Sequence, residues 1–322
     1  MKAIVCNDFG PIQNIEYKDV NEPVIQDESV IINVKSVGVN FPDGLLVQGK
    51  YQLKPDTPFI PGMEVAGEIV KIGPNVSSLK IGDRVAALSQ LSGYAEQAVI
   101  QEKSVFKIPS KMSFDDSCAL LCAYGTSHYA LKQRANLKKN ELLVVLGASG
   151  STGIAAIQIG KIMGAKVIAV SSNSEKQKIA KDNGADISIG YDNLKEELKS
   201  ISNGKGIDVI FDPVGGDIFD TIARTMARSG RLLVIGFASG TIPKLAVNLA
   251  LVKEFSVVGV FWGAFTRSEP IEYKQNMIEL FNWYKEGLLK PLIQDSYPLS
   301  EAAVVLEKIL ARGAKGKIIL KP

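Results

Sequence analysis

The sequence predicts an α/β protein in two parts, a β-rich N-terminal region followed by a doubly wound parallel sheet. Up to about Cys122, short runs of β-branched residues are separated by Gly, Pro and Asp, as in antiparallel β structure. From Leu142 onward, apolar strands alternate with helical patterns, which is typical of a parallel sheet with helical crossovers. A glycine-rich turn directly after the first of these later strands points to a bound phosphate.

The composition limits the kind of protein this is. The chain has 322 residues, which is enough for two domains. Its net charge is +3 and its basic residues are scattered, so no nucleic-acid partner is expected. Three cysteines indicate a reducing compartment, and no apolar run is long enough to cross a membrane. We therefore expect a cytoplasmic protein that has no membrane partner.

In the N-terminal region, Val30–Asn40 predicts a strand, and "EVAGEIVKIG", "DRVAAL" and "YAEQAVI" predict three more. Ser113 is expected to cap the helix that follows. Asp115 and Asp116 would lie in its first turn, where the helix dipole favours acidic side chains. This capping interpretation is favoured over a paired-carboxylate acid/base site.

The later region reads as alternating strands and helices. Six strands are predicted, at "LLVVL", "KVIAV", "DISIG", "DVIFD", "RLLVIGF" and "FSVVGVF". One helix is expected over about Thr152–Met163, and three more at "SEKQKIAKDNGA", "NLKEELKSI" and "IFDTIARTMA". From about Phe265 a long helix and a closing strand, "KGKIILKP", break the alternation. This tail is expected to return to the N-terminal region.

The glycine turn is the strongest motif. Ala148, Gly150 and Gly153 form an A-x-G-x-x-G pattern between a strand and a helix, with Ala148 in place of the usual first glycine. Gly150 would let the backbone approach a pyrophosphate, and Gly153 would let the helix pack closely on the sheet. The backbone N–H groups of Ser151, Thr152 and Gly153 would lie at the positive end of that helix. This pattern predicts dinucleotide binding.

The end of the second strand discriminates between the two nicotinamide dinucleotides. NAD sites usually carry an acid there for the ribose 2′-OH, whereas this chain has Ser171 and Ser172, followed by Lys176. Hydroxyls and a positive charge suit a 2′-phosphate, so NADPH is favoured. Alternatively, Ser172 or Ser174 caps the next helix and Lys176 is solvated, and both interpretations can hold at once.

The chain resembles a known superfamily along nearly its whole length. In Pro61–Val85, "PGMEVAGEIVKIGPNVSSLKIGDRV", the Gly, Glu and Asp residues have the spacing of medium-chain dehydrogenases/reductases. Gly38–Tyr51, "GVNFPDGLLVQGKY", and the glycine turn look most like the zinc-free quinone oxidoreductase (zeta-crystallin-like) branch. The resemblance implies a GroES-like catalytic domain over residues 1–122, with 265–322 returning to it, and a Rossmann NADPH-binding domain over 123–264. It also implies a homodimer.

The same resemblance argues against zinc. Zinc-dependent members place a Cys near Asn40 and a His at the position of Met63, and neither residue type is present there. The closely spaced cysteines that bind structural zinc are also absent. The single histidine, His128, is expected to be an ordinary helix residue. No metal site is therefore predicted.

Without zinc, nothing polarises an alcohol as a Lewis acid would. A quinone or an α,β-unsaturated carbonyl can instead accept hydride, and the charge moves to an oxygen that needs only a hydrogen bond. The resemblance places Tyr51 and Asn40 beside the nicotinamide as candidate donors. Alternatively, Tyr51 is a surface loop residue and Asn40 satisfies backbone groups at the end of a strand.

The resemblance also implies cofactor contacts outside the glycine turn. Thr126 would contact the nicotinamide. Tyr191 and Arg312 would contact the 2′-phosphate, and the cofactor cleft would be lined by Phe237, Val260 and Phe261. Trp262 would either wall the substrate pocket or be a core aromatic residue. Asp212 is expected to shape a turn at the end of its strand.

Two other functions stay open. An enoyl-thioester reductase of the same superfamily would need a positive site for CoA or carrier-protein phosphates, and no clear one is present in the sequence. A non-catalytic NADPH-binding or RNA-binding protein is conceivable for this branch, but the chain lacks a stripe of basic and aromatic residues. Turnover of a small enone would separate an enzyme from a binding protein.

Overall fold

The chain forms fifteen strands and eleven α-helices in the computed structural model, which describes residues 1–322. The strands are β1 (Lys2–Val5), β2 (Glu16–Asp19), β3 (Ser29–Val39), β4 (Glu64–Ile72), β5 (Arg84–Leu88), β6 (Gln97–Gln101), β7 (Val105–Lys107), β8 (Leu142–Leu146), β9 (Lys166–Val170), β10 (Ile187–Ile189), β11 (Ile207–Asp212), β12 (Met226–Val234), β13 (Ser256–Gly259), β14 (Ile293–Pro298) and β15 (Lys317–Lys321). The helices are α1 (Phe41–Val47), α2 (Phe114–Ala119), α3 (Gly125–Tyr129), α4 (Ser151–Ile162), α5 (Ser174–Asp182), α6 (Leu194–Ile201), α7 (Ile218–Ala223), α8 (Val247–Lys253), α9 (Trp262–Ser268), α10 (Pro270–Lys285) and α11 (Ala302–Leu310). None of these helices combines the length and the apolar character needed to cross a bilayer.

The chain divides into two units. The first contains Met1–Cys122 and Pro291–Pro322, and the second contains Ala123–Lys290. The return to the first unit therefore begins at Pro291 and not near residue 265. Helices α9 and α10 stay in the second unit because their aromatic side chains pack there, as where Phe265 stacks on Tyr129 with ring centroids 4.1 Å apart.

The second unit is built on a six-stranded sheet with the order β10-β9-β8-β11-β12-β13, in which every pair is parallel. Its central strands are apolar, as expected where both faces of a sheet are covered, and Val144, Ile168 and Ile210 are fully buried. Within this sheet, the chain first forms β8 and then adds β9 and β10 on one side of it. It then adds β11, β12 and β13 on the other side. This confirms the predicted doubly wound sheet, whose ligands bind at the carboxyl ends of the strands where the order reverses.

The first unit contains a mainly antiparallel sheet with the order β14-β15-β3-β4-β5-β7. The long strand β3 pairs with β4, β6 and β15, so it forms the centre of this sheet. The register places Ile318 of β15 opposite Val39 and Leu320 opposite Val37. Both β15 residues are buried in the main core of this unit, so the end of the chain completes the N-terminal fold.

The predicted cap of α2 is confirmed. Ser113 Oγ accepts the N–H of Asp116 at 3.0 Å. Asp115 has different partners, because it accepts a hydrogen bond from Ser36 and forms an ion pair with Lys321. These contacts tie α2 to β3 and β15, which is a structural role and not that of a paired-carboxylate site.

The single histidine is a buried residue of α3, as predicted. His128 Nε2 lies 2.7 Å from a carboxylate oxygen of Glu279 in α10, and Lys132 Nζ lies 2.5 Å from the same oxygen. Burial lowers the pKa of His128, and the bond to Glu279 offsets only part of that effect. The bond from His128, together with Lys132, lowers the pKa of Glu279 to about 2. A neutral imidazole therefore donates to an ionised carboxylate.

We expect this pair to make stability depend on pH. Unfolded His128 takes up a proton near pH 6.5, whereas the folded residue stays neutral to lower pH, so stability falls as the pH drops through this range. A second loss is expected below about pH 4.5, where unfolded Glu279 is protonated before the folded residue is. His128→Gln keeps a donor but does not titrate, so urea denaturation should show a smaller loss between about pH 7 and 5. An equal loss in variant and wild type would contradict this assignment.

Candidate nucleotide site and active site

The glycine turn lies at the reversal of strand order in the second unit, between β8 and α4. Gly147 has a φ of +57°, which glycine adopts at little cost, and its carbonyl accepts the N–H of Gly150 at 3.0 Å. Gly150 is the N-cap of α4, so the N–H groups of Ser151, Thr152 and Gly153 belong to its first turn. Because the first N–H groups of a helix lack partners inside it, this end suits an anion.

The two glycines of the turn are needed for different reasons. At Gly153 a Cβ would lie 2.5 Å from the carbonyl oxygen of Gly147 and 2.8 Å from the Cα of Ala148, so any side chain would push the helix away. At Gly150 a Cβ would meet only the Gly147 oxygen, at 3.4 Å, which is ordinary contact. Packing within the protein therefore does not require glycine at position 150. The open space there fits a phosphate held by the backbone.

Hydroxyl groups stand at the end of β9, where an NAD site would have an acid. Ser171 is buried and its Oγ has no hydrogen-bond partner, whereas Ser172 is exposed. The expectation that Ser172 or Ser174 caps α5 is wrong. The cap is Asn173, whose side-chain oxygen accepts the N–H of Lys176 at 2.9 Å. The capping role that competed with a ligand for Ser172 thus belongs to its neighbour.

Of the remaining predicted phosphate contacts, Tyr191 is connected directly to the glycine turn. It follows β10, and its hydroxyl accepts the N–H of Gly147 at 3.2 Å. Lys176 lies in the first turn of α5. Arg312 belongs to the first unit, where it follows α11 with a φ of +60°. Their roles toward a 2′-phosphate stay predictions.

The aromatic residues after β13 differ in their surroundings. Trp262 is buried: a Cβ on Gly125 would lie 2.6 Å from its indole, and its ring meets that of Tyr273 edge-on at 5.8 Å. These contacts are those of a core aromatic residue, and a pocket-wall role stays a prediction. Phe261, in contrast, is 51% exposed. The other predicted cleft residues, half-buried or buried, are Thr126 in α3, Phe237 after β12 and Val260 after β13.

Asp212 shapes the turn after β11, as predicted. One of its carboxylate oxygens accepts the N–H groups of Val214 and Gly215, at 2.8 and 2.9 Å. Burial raises the pKa of Asp212, although these two bonds oppose the effect. The carboxylate thus holds the backbone on the side of the reversal opposite to the glycine turn.

The first unit contains a polar cluster of the half-buried Asn40 and the buried Glu64 and Lys317. Sequence reasoning selected Asn40 but missed its two charged partners. Glu64 and Lys317 form an ion pair with side chains 0% and 2% exposed. Asn40 joins them, because its Nδ2 donates to Glu64 Oε1 at 3.0 Å and its Oδ1 accepts from Lys317 Nζ at 2.7 Å. Its Nδ2 also donates to the Gly38 carbonyl at 3.3 Å. The amide of Asn40 is therefore occupied by the protein, in keeping with its alternative interpretation.

The cluster continues into the first turn of α1. Asp43 Oδ2 accepts the backbone N–H of Asn40 at 2.8 Å and the hydroxyl of Tyr94 at 3.1 Å. Burial raises the pKa of Asp43 to about 7, against the opposing effects of the Asn40 bond and the charge of Lys317. Burial by itself would lower the pKa of Lys317, but Glu64 and other acidic neighbours outweigh it, so the pKa is raised. The surroundings of Lys317 therefore favour its protonated form.

Tyr51 lies in the loop that follows α1. The loop is anchored on the helix, because the N–H of Lys50 donates to the Leu45 carbonyl at 2.8 Å. The Tyr51 side chain is half-buried and packs against the core of the first unit, so it is more than a solvated loop residue. Its place in the structure thus follows from the place of α1, which begins directly after Asn40.

The side chains present do not fit a zinc ion. No group of three or more His, Cys, Asp or Glu residues is arranged to hold a metal. The amide oxygen of Asn40, its one possible ligand atom for a metal, already accepts a hydrogen bond from Lys317 Nζ. The thiol of Cys118 donates to the Ser36 carbonyl at 3.2 Å, and burial raises its pKa well above the ordinary value.

Comparisons with known proteins agree with this architecture. Residues 26–110 match the alcohol dehydrogenase GroES-like domain, and residues 151–283 match the zinc-binding dehydrogenase family. Over 99% of its length, the chain is 37% identical to a quinone oxidoreductase-like protein 2 homologue of Nematostella vectensis and 34% identical to human quinone oxidoreductase, covering 88% and 97% of those proteins. The solved structure of Escherichia coli quinone oxidoreductase complexed with NADPH has a TM-score of 0.93 and 26% identity, over the whole of both chains.

A GroES-like unit completed by the end of the chain, together with a doubly wound sheet that carries a glycine turn, defines a medium-chain dehydrogenase/reductase. Within this superfamily of oxidoreductases, the chain belongs to the quinone oxidoreductase family. The resemblance and the fold class inferred from the sequence are thereby confirmed.

The two glycines of the turn should respond differently to alanine. Gly153→Ala is expected to lower the melting temperature, because its Cβ would overlap the turn at a cost of about 1–3 kcal/mol. Gly150→Ala should leave the melting temperature nearly unchanged and weaken NADPH binding, since its methyl would fill space proposed for phosphate. Thermal denaturation and NADPH titration of both variants check this. Wild-type NADPH affinity in Gly150→Ala would mean that the turn does not contact the cofactor.

Proposed function

We propose that the chain is an NADPH-dependent, zinc-independent reductase that transfers hydride to quinones or α,β-unsaturated carbonyls. The observation that carries this proposal is the buried cluster: Asn40, where zinc-dependent members place a ligand, is bonded to Lys317. A site with this donor set suits an acceptor that needs only a hydrogen bond to its oxygen. The NADPH in the related Escherichia coli structure supports the choice of cofactor.

The proposal divides the work between the two units. In the second unit, the N–H groups of Ser151–Gly153 hold the pyrophosphate, and Ser172, Lys176 and Tyr191 bind the 2′-phosphate. Arg312 stays the further 2′-phosphate contact that the family resemblance implies. A bound NADPH supplies the hydride. Tyr51 donates a hydrogen bond to the acceptor oxygen as charge develops there. Asn40 is assigned to hold α1, because its own amide is occupied.

We also propose the homodimer that the family implies. β13 is an edge strand of the parallel sheet, and the helix before it, α8, exposes 79% of Leu251 and 77% of Val252. A strand edge beside exposed apolar side chains is a surface that a second copy would cover. The cytoplasmic location is likewise a proposal, supported by three free thiols.

The experiment that tests the proposed activity is a panel of quinones, small enones and enoyl-thioesters, with NADPH consumption followed by absorbance. We expect turnover of quinones or enones that an added chelator leaves unchanged. Faster turnover of CoA thioesters than of any small enone would favour the enoyl-thioester alternative. NADPH binding without turnover of any acceptor would favour a non-catalytic binding protein.

Tyr51→Phe removes only the proposed donor. If the hydroxyl stabilises the developing oxyanion, kcat should fall by roughly 10²–10³-fold, with a smaller change in KM for the acceptor. Tyr17→Phe is a matched control, since Tyr17 is an exposed tyrosine of β2 in the same unit, and it should keep wild-type kcat. Steady-state kinetics with one quinone and NADPH compare the three proteins. Unchanged kcat in Tyr51→Phe would return this residue to a packing role.

Cofactor choice should depend on the end of β9 and the start of α5. Lys176→Ala is expected to lower kcat/KM for NADPH about tenfold without affecting NADH, and more strongly at low salt, because a charge-assisted bond to the 2′-phosphate is lost. Ser172→Asp should go further, since a carboxylate repels this phosphate. The control is Lys178→Ala on the same helix, where Lys178 forms a surface ion pair with Asp182. An equal loss with NADH and NADPH in Lys176→Ala would show that the phosphate site is misassigned.

A further inference from the structure

The buried cluster of Asn40, Glu64 and Lys317 connects four separate segments of the first unit. Glu64 begins β4 and Lys317 begins β15, while Asn40 follows β3. The second oxygen of Glu64 accepts the backbone N–H of Cys122 at 2.8 Å. Each polar group of the Glu64 carboxylate and the Asn40 amide therefore has a partner inside the protein.

The local structure is shaped to admit this carboxylate. Gly38, on the central strand β3, has no room for a side chain, because a Cβ there would collide with the carboxylate of Glu64. Glycine inside a strand weakens it, which indicates a close approach of another group. The glycine therefore lowers the stability of the sheet locally, at the place where Glu64 is buried.

Stability alone does not explain a charged pair in this position. Removing two charges from water costs several kcal/mol for each ion, and apolar residues of similar size often stabilise a protein as well or better. A buried pair is better understood through the geometry that it enforces. Here the geometry is that of Asn40, which both charged groups hold.

Asn40 in turn determines where α1 begins. Its side chain is bonded to Glu64 and Lys317, and its backbone N–H donates to Asp43 in the first turn of α1. The loop after α1 is bonded back to that helix through Lys50 and leads directly to Tyr51. A continuous chain of contacts thus runs from the buried ion pair to the proposed donor.

We propose that Glu64 and Lys317 are positioning residues for the reaction, acting through Asn40 and α1 to set the place of the Tyr51 hydroxyl. This inference rests on the proposed function, in which Tyr51 donates to the acceptor oxygen. It assigns the ion pair to orientation of a donor and not to contact with the substrate. A small displacement of such a donor is costly, since misplacement by about 1 Å lowers rates by roughly 10²-fold.

The test is the neutral pair Glu64→Gln with Lys317→Met, which removes both charges and keeps similar volumes. We expect a melting temperature near that of the wild type, an unchanged KM for NADPH, and kcat lowered by roughly 10- to 100-fold. The matched control neutralises the partly buried ion pair of the second unit, Glu141→Gln with Arg231→Met, and should keep wild-type kcat. Wild-type kcat in the folded neutral pair would overturn the inference.

A double-mutant cycle with Tyr51→Phe shows whether the pair acts through Tyr51. If it does, adding the neutral pair to Tyr51→Phe should lower kcat little further. A combined variant whose loss in kcat equals the product of the two separate losses would overturn the inference. Should the neutral pair not fold, Asn40→Ala, which keeps both charges, replaces it in the same cycle with the same two outcomes. Wild-type kcat in Tyr51→Phe alone would overturn the proposed donor and this inference with it. If Tyr51→Phe lowers kcat but the neutral pair keeps wild-type kcat, the inference is overturned and the proposed donor is not.

Discussion

The second unit depends on one close contact, between the first turn of α4 and the backbone turn that follows β8. Gly153 brings this helix so near to the Gly147 carbonyl that a single methyl group would separate them. The contact aims the unsatisfied N–H groups of the helix at the reversal of strand order, where Asp212 holds the opposite turn. The parallel sheet, its helices and its glycine pattern therefore serve to present a few backbone dipoles at one point.

The first unit holds a cluster of polar and charged side chains inside the core of its mainly antiparallel sheet. Glu64 and Lys317 neutralise each other, and the amide of Asn40 uses the hydrogen-bonding capacity that remains between them. The Lys317 amine is bonded to Asn40 and paired with Glu64 inside the protein. Because the charge belongs to a side chain, it cannot be exchanged or removed by a chelator. The consequence is a site whose electrostatics are built into the fold.

The sequence predicted features that depend on local pattern, and it failed where distant residues meet. The glycine turn, the parallel sheet of the second unit and the Ser113 cap each follow from residues close together in the chain, and the structure confirms each of them. Lys317 and Asn40 are 277 positions apart, so no spacing rule relates them, although Glu64 stood in a recognised motif. From the sequence alone, Ser172 and Ser174 are open alternatives as the cap of α5, whereas the backbone geometry selects Asn173. The sequence predicts that the chain returns to the first unit near residue 265, which is too early. The aromatic packing that keeps this segment on α3 leaves no periodic pattern in the sequence.

The position of β15 has a consequence for synthesis of the protein on the ribosome. The second unit is continuous in the chain and has all its strands once residue 290 has emerged, whereas the first unit still lacks β15 beside its central strand. Until then Glu64 has no counter-ion and one edge of β3 is open. The half of the protein made first is therefore the half completed last, which reverses the usual order of vectorial folding. Nascent chains would expose this edge for the whole time needed to translate the second unit.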